Sequence, residues 1–447
     1  MTESAPPAHP PAPDGRPDTS RPREGGPPPP SALLRRARAA VFLLFFINAI
    51  AYANIVPRLP EIRDSIGLSN TALGTAIAAM PVGALVAGLF AGAMGARIGS
   101  GRLAALCAFG FAAAVPLVSF ASVWAMLACC LFLLGVLDAI MDAAMNTHGL
   151  RVQRGYGRSI LSSFHGLWSV GAVVGGLLST TLAGADVPLR WHLLGIGALL
   201  AVLGVAVWPL LLPGRDEDEA PTSAEARQTE TAPATPEASP ATPESSPAAT
   251  AARAGLKAAL LPLLLLGLLL AMSSVVEDTP ASWGSALLQD DYGASAWLAG
   301  FAYVAFQTAM TIARFTGDRV VDRYGRVPVA RVGGLLIAVP LSLALLTHST
   351  PAVIAAFACA GLGAATLFPS AMHAAATIPG IRSSDGVAVV SWLARVGFLA
   401  APPLVGLIGD RISLRVGVAM IVVAGLLILA LAKVFAPADR SMSEESR

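Results

Sequence analysis

Apolar windows of roughly 18 to 25 residues recur along the chain, the length an α-helix needs to cross about 30 Å of hydrocarbon at 1.5 Å per residue. The pattern predicts about twelve such helices, centred near Leu44, Ala84, Ala112, Leu134, Ala172 and Ala201, then Leu266, Val304, Ile337, Ala364, Leu399 and Val423. The first run, Ala39 to Val56, is followed by many others, so it is expected to stay in the chain as a membrane helix and not as a cleaved signal. Between the sixth and seventh windows lies a tract of Pro, Ala, Thr, Ser and Glu with nothing to bury, which predicts a disordered, solvated linker over 213–254. The Pro-, Gly- and Arg-rich start predicts a disordered tail over 1–38, and a second short tail is expected over 437–447. What remains is two bundles of six helices, 39–212 and 255–436. Duplicated halves are a common plan among transporters.

Composition agrees with this pattern. Of 447 residues, 55% are hydrophobic and 13% charged, and the mean hydropathy is +0.67, which excludes an ordinary soluble protein of this length. The formal net charge of +2 gives no reason to expect a nucleic-acid partner. Cys107, Cys129, Cys130 and Cys359 all lie inside apolar runs without metal-ligand spacing, and are read as small core residues. Arginine sets the expected orientation. Gly95–Arg102, Gly149–Arg158, Asp318–Arg331 and Ile378–Ser383, read as short loops, hold ten arginines, while the opposite side holds five: Arg58, Arg63, Arg190, Arg411 and Arg415. By the positive-inside rule both termini and the linker are expected in the cytoplasm, with Arg411 and Arg415 the weakest part of that assignment.

Two of the basic loops match each other. Gly92 to Arg102 reads GAMGARIGSGR after the second helix, and Gly317 to Arg326 reads GDRVVDRYGR after the eighth. Glycine permits a tight turn between antiparallel helices, and a carboxylate–arginine pair can latch their ends. This pairing resembles the major facilitator superfamily, whose signature there is Gly-x-x-x-Asp-Arg-x-Gly-Arg. The second copy keeps Asp322, Arg323, Gly325 and Arg326; the first keeps Gly92, Arg97 and Gly99 but has Ala96 where the aspartate belongs. Leu133 to Gly176 is similar to a bacterial branch related to fucose permeases and inosamine transport proteins, through Asp142, Asn146, the run Ser162 to Gly166, and Gly171, Gly175 and Gly176. The same branch carries Glu-Gly-x-x-x-Asp-Trp-Ser in helix seven; Glu277 and Trp283 match, while Asp278 and Ser282 replace its glycine and aspartate. The resemblance implies an all-α membrane fold of twelve helices and a secondary transporter, and its sugar-carrying members favour a sugar- or polyol-like cargo.

Ionisable groups inside membrane spans are costly and mark functional sites. Asp138, Asp142 and Asn146 are spaced four apart and share one helix face, expected to line a cavity. His165 enters helix five at a depth similar to Asp142, which makes an Asp–His contact a candidate; the alternative is that His165 donates to a backbone carbonyl. Glu277 and Asp278 are adjacent and point about 100° apart, so only one can face the cavity squarely; Glu277 is the favoured one, with Arg314 and Arg395 as candidate counter-ions. Trp283 reads as an interfacial anchor, which would put the pair within about two turns of the outer surface, and a pair that snorkels to the headgroups is the other reading. Asn48 and Tyr52 share a face of helix one, with Asn54 a further candidate; helix–helix hydrogen bonding competes with a cavity role. His373 occupies the place of Asn146 in the other half, with packing as the competing role.

The expected function is alternating access by a monomer in the cytoplasmic membrane, moving a small-molecule cargo with protons as the coupling ion. No enzyme activity, cofactor or metal is expected, and no GxxxxGK[ST] sequence for ATP drive is present. A proton-driven exporter of drugs or metabolites remains open, as does, more remotely, a polytopic membrane enzyme.

Overall fold

The computed structural model describes residues 31–214, 247–379 and 381–436, and among them the secondary structure is helical throughout, with no strand. Among the described residues, twelve helical spans are long and apolar enough to cross a membrane. Their leading segments are α1 (Ala32–Ala53), α2 (Asn70–Ile98), α3 (Ser100–Val118), α4 (Trp124–Tyr156), α5 (Leu161–Gly184), α6 (Leu189–Val207), α7 (Pro247–Asp290), α8 (Ala296–Tyr324), α9 (Arg326–Leu345), α10 (Thr350–Ala364), α11 (Ser383–Arg411) and α12 (Leu414–Val418). A short helix, Leu59–Ile66, follows α1; α10 resumes as Leu367–Ala376, and α12 as Met420–Leu431. Every expected helix centre falls inside one of the twelve spans.

The helices sort into two sets with the same internal neighbours. In the first, α1 packs on α5, α2 on α4, and α3 on both α4 and α6. In the second, α7 packs on α11, α8 on α10, and α9 on both α10 and α12. The sets meet along two seams, α2 with α11 and α5 with α8. A duplicated hydrophobic pattern has thus produced duplicated packing, as expected when each half buries its own apolar faces.

Several expected borders move. Helix α1 starts at Ala32, inside the segment expected to be a tail, because Ser31 caps it by accepting from the Leu34 amide at 3.2 Å. Helix α7 starts at Pro247, inside the expected linker. The expected tail residues 1–30 and 437–447, and linker residues 215–246, lie outside the described residues. Arginine-rich loops also shrink into helix ends. Only Gly99 separates α2 from α3, and only Gly325 separates α8 from α9. Both have positive φ, 93° and 82°, which an L side chain rarely adopts, so the repeated signature glycines make matching corners. Gly92, by contrast, sits inside α2 facing open space and makes no turn.

At the end opposite the arginine-rich corners, three of the five arginines are paired with acids. Arg58 bonds Glu61 at 2.5 Å, Arg63 bonds Asp290 at 2.6 Å, and Arg415 lies 3.8 Å from Asp291 and over the Tyr292 ring. Cys107 and Cys130 are buried as expected, whereas Cys129 is exposed.

Candidate functional site

A cavity of about 980 Å³ lies between the two halves and reaches the arginine-rich end. The first half contributes Ser162, Ser163, His165, Trp168 and Ser169 of α5 to its wall; the second contributes Thr311, Arg314 and Asp318 of α8, with Ser370 and His373 from the resumed α10. Apolar helices present hydroxyls, an indole, two imidazoles and a guanidinium to one space, as a polar solute in a membrane requires. At the opposite end the halves are tied together by Arg63 with Asp290 and by Asp410 with Asn70 and Thr71, which closes that end.

In the first half the acids are held by amides. Trp168 Nε1 donates to Asn48 Oδ1 at 2.8 Å, and Asn48 Nδ2 donates to Asp138 Oδ1 at 2.9 Å. This relay joins α5, α1 and α4. One helical turn on, Asn146 Nδ2 donates to Asp142 Oδ1 at 3.0 Å, as the four-residue spacing anticipates. His165 stands in electrostatic range of Asp142 but makes no hydrogen bond with it; its ring packs edge-on to Phe45 at 5.0 Å. The expected Asp–His contact is therefore Coulombic only. Helix α4 continues to Tyr156, so Asp142 stands roughly 20 Å of helix from its end, deeper than a helix ending near Gly149 implies.

In the second half Arg314 Nη2 lies 3.5 Å from Glu277 Oε2, one turn of α8 against the middle of α7. Of the two arginines proposed as partners of Glu277, Arg314 takes that role, and Arg395 instead lies in electrostatic range of Asp142; Asp138, Asp142, Asn146 and Arg395 are not among the residues that line this cavity. Asp278 accepts from Ser282 Oγ at 3.0 Å and lies within reach of Tyr52, as do Asp138 and Tyr303. Asp278 thus lies in electrostatic range of the first half. Trp283 is not an interfacial anchor: it is fully buried against Gly406. The run after it carries α7 on to Asp290, so Glu277 lies roughly 20 Å of helix from that end, well inside the span.

The charged signature residues of the corners are open to solvent, Arg326 partly so, while Gly99 is buried. Asp322, Arg323 and Arg97 are exposed or half-exposed, Asp322 and Arg326 line the cavity mouth, and Asp322 makes no ion pair among the described residues. The expected latch is apart in this conformation. Asn54 does not join the cavity: it is fully buried, donating to the Ile50 carbonyl at 2.7 Å and accepting from His192 Nε2 at 3.0 Å. His373 is exposed to the cavity. Trp168 is the main residue that pattern reasoning misses; its place three residues after His165, on the same face of α5, is the available signal.

Two pseudo-equivalent six-helix sets around one polar cavity with a single mouth define a polytopic carrier. The chain matches the Major Facilitator Superfamily over residues 41–283 and 279–447, and it belongs to that family. It is 28% identical over 374 residues to an uncharacterised MFS-type transporter of Yersinia pestis, covering 84% of this chain and 89% of that protein. Among solved structures it is similar to a nucleoside transporter (TM-score 0.66, 12% identity, 89% of this chain and 98% of that one). It is also similar to a D-xylose–proton symporter (TM-score 0.64, 14% identity, 92% and 99%). The protein is thus a multi-pass transporter of the cell membrane.

Proposed function

We propose that this transporter carries a small polyhydroxylated solute together with protons, as a monomer that alternates access between its two halves, 39–212 and 255–436. Both termini and the mouth of the cavity face the cytoplasm in this reading, which the arginine count supports. The observation that carries the proposal is the cavity wall. Ser162, Ser163, Ser169, Thr311 and Ser370 line the same space as the Trp168 indole, a combination suited to hydroxyl groups on one side of a ring and C–H groups on its face. Asp142 and Glu277 supply carboxyl groups that can change charge as the cavity wets from either side, beside the fixed cations Arg395 and Arg314. The D-xylose–proton symporter among its structural relatives supports the pairing of a sugar with a proton.

A panel test addresses the cargo. Purified protein is heated with D-xylose, L-fucose, myo-inositol, uridine and a lipophilic drug-like cation in turn. A sugar or polyol should raise the melting temperature in a concentration-dependent way, since a ligand that binds only the folded state stabilises it by mass action. Stabilisation by the cation alone would favour an exporter of drugs.

A further inference from the structure

Behind the cavity wall, one hydrogen-bonded chain joins three helices of the first half: Trp168 of α5, Asn48 of α1 and Asp138 of α4. Trp168 lines the cavity and Asp138 does not. Asn48, between them, is 5% exposed, so its amide has almost no water to turn to. An indole N–H only donates, and an ionised carboxylate only accepts. With Asp138 charged, the amide therefore has one workable orientation, the one observed: Oδ1 takes the indole N–H at 2.8 Å and Nδ2 donates to Asp138 Oδ1 at 2.9 Å. Turned over, it would set an oxygen against the carboxylate and an N–H against the indole N–H.

Protonation removes that constraint. The proton adds to a carboxylate oxygen of Asp138 and takes the group from an anion to a neutral acid. Its new O–H can donate to Asn48 Oδ1 once the amide turns over. Asn48 Nδ2 then faces Trp168 Nε1–H, which is left without an acceptor until a hydroxyl oxygen of a solute in the cavity supplies one. A stranded donor is costly, so the turned amide favours an occupied cavity. By linkage, the solute in turn favours the protonated acid.

The other acids lack such a connection. Asn146, the partner of Asp142, donates a second time to the Asp142 carbonyl at 2.9 Å and so stays on its own helix. Glu277 faces the fixed charge of Arg314. Around Asp138 stand Asp142 on its own helix and Tyr52 of α1, and Tyr52 is also in range of Asp278 of α7 and Tyr303 of α8. His165 and Arg395 act on Asp142, and Asp138 makes no ion pair among the described residues.

We propose that Asn48 is a positioning residue that ties the charge of Asp138 to the indole of Trp168, so that a proton on Asp138 frees the indole N–H for a cargo hydroxyl and proton and cargo bind together. The proposal rests on the reading above that the cavity carries a polyhydroxylated solute with protons.

The test uses full-length protein in detergent micelles, with tryptophan isotope-labelled at the indole nitrogen and read by N–H correlation spectra; Trp168→Phe identifies the Trp168 resonance. In ligand-free wild type this resonance should move in one titration step, from a hydrogen-bonded position at alkaline pH to an unbonded one at acid pH. Asp138→Asn, which offers a donor and an acceptor at every pH, should stop the movement, and so should Asn48→Ala. Asp142→Asn should keep it, with a displaced midpoint. A resonance that stays still in wild type, or that still moves in folded Asp138→Asn or Asn48→Ala, overturns the relay. Loss of folding in both variants overturns it too, since the chain would then be a structural tie. Affinity for D-xylose, L-fucose and myo-inositol is then measured by calorimetry at the two ends of the titration. A compound that binds should do so several-fold more tightly to wild type at the acid end, and with one affinity at both ends to Asp138→Asn. Asn48→Ala should bind weakly at both, because Trp168 then has nothing to hold it in place. Equal affinity at both ends in wild type overturns the link between proton and cargo. If the resonance titrates as expected and none of the three compounds binds, the cargo reading above fails while the relay stands.

Discussion

The two halves hold their buried acids differently. On the first side, Asp138 and Asp142 are bonded by the neutral amides of Asn48 and Asn146; on the second, Glu277 faces the guanidinium of Arg314. An amide partner serves a carboxylate in either protonation state, because it offers both a donor and an acceptor. An arginine cannot be deprotonated, so removing the charge of Glu277 leaves a cation without its ion-pair partner in a low-dielectric space. In the proposed scheme a proton can therefore come and go at lower cost in the first half, whereas protonating Glu277 must be offset at Arg314. Substitutions at the two sides should separate these roles.

The largest effect is expected at Asp142→Asn. It removes a titratable group in range of both His165 and Arg395 while keeping a bond to Asn146, so uptake driven by a pH gradient into proteoliposomes should vanish from a protein that still purifies as a monodisperse peak. Undiminished accumulation would remove Asp142 from the coupling scheme. Glu277→Gln comes next. Exchange of labelled for unlabelled cargo should persist within about tenfold of wild type, a change of roughly 1.4 kcal/mol, while accumulation against a gradient fails; equal loss of both would make Glu277 a cargo-binding or structural group only.

Smaller effects follow from the hydrogen bonds. Asn48→Ala breaks the Trp168–Asn48–Asp138 relay and leaves an indole donor and a carboxylate short of a partner. At about 1–3 kcal/mol for a stranded buried group, cargo affinity measured by calorimetry should fall by roughly tenfold or more. Asp278→Asn should do least, under about threefold, because the new amide oxygen still accepts from Ser282 and no cation is left unpaired, so a change smaller than one ordinary hydrogen bond is expected. An effect as large as that of Glu277→Gln would mean that its position beside Tyr52 makes it a second coupling carboxylate.

Much of this architecture is legible in the chain because membrane helices announce themselves by length and hydropathy, and the repeated corner glycines, Gly99 and Gly325, lie at fixed places in the motif. Pairings four residues apart, such as Asp142 with Asn146, are legible for the same reason. Helix ends are harder to read. Trp283 resembles a boundary only because tryptophan favours interfaces, whereas packing against Gly406 buries it. Contacts between halves leave no local trace: Arg63 and Asp290, or Thr71 and Asp410, are joined only once the seams close. The division of Arg314 to Glu277 and of Arg395 to Asp142 likewise depends on how α7, α8 and α11 lie around the cavity.

The central claim, that a proton gradient drives cargo through this cavity, is tested most directly in proteoliposomes of wild-type protein with an alkaline lumen, using the panel compound that raises the melting temperature most. The account predicts accumulation several-fold above the external concentration, collapsing to simple equilibration when a protonophore is added while exchange continues. Accumulation that the protonophore leaves intact, or equilibration alone with the gradient in place, would contradict it.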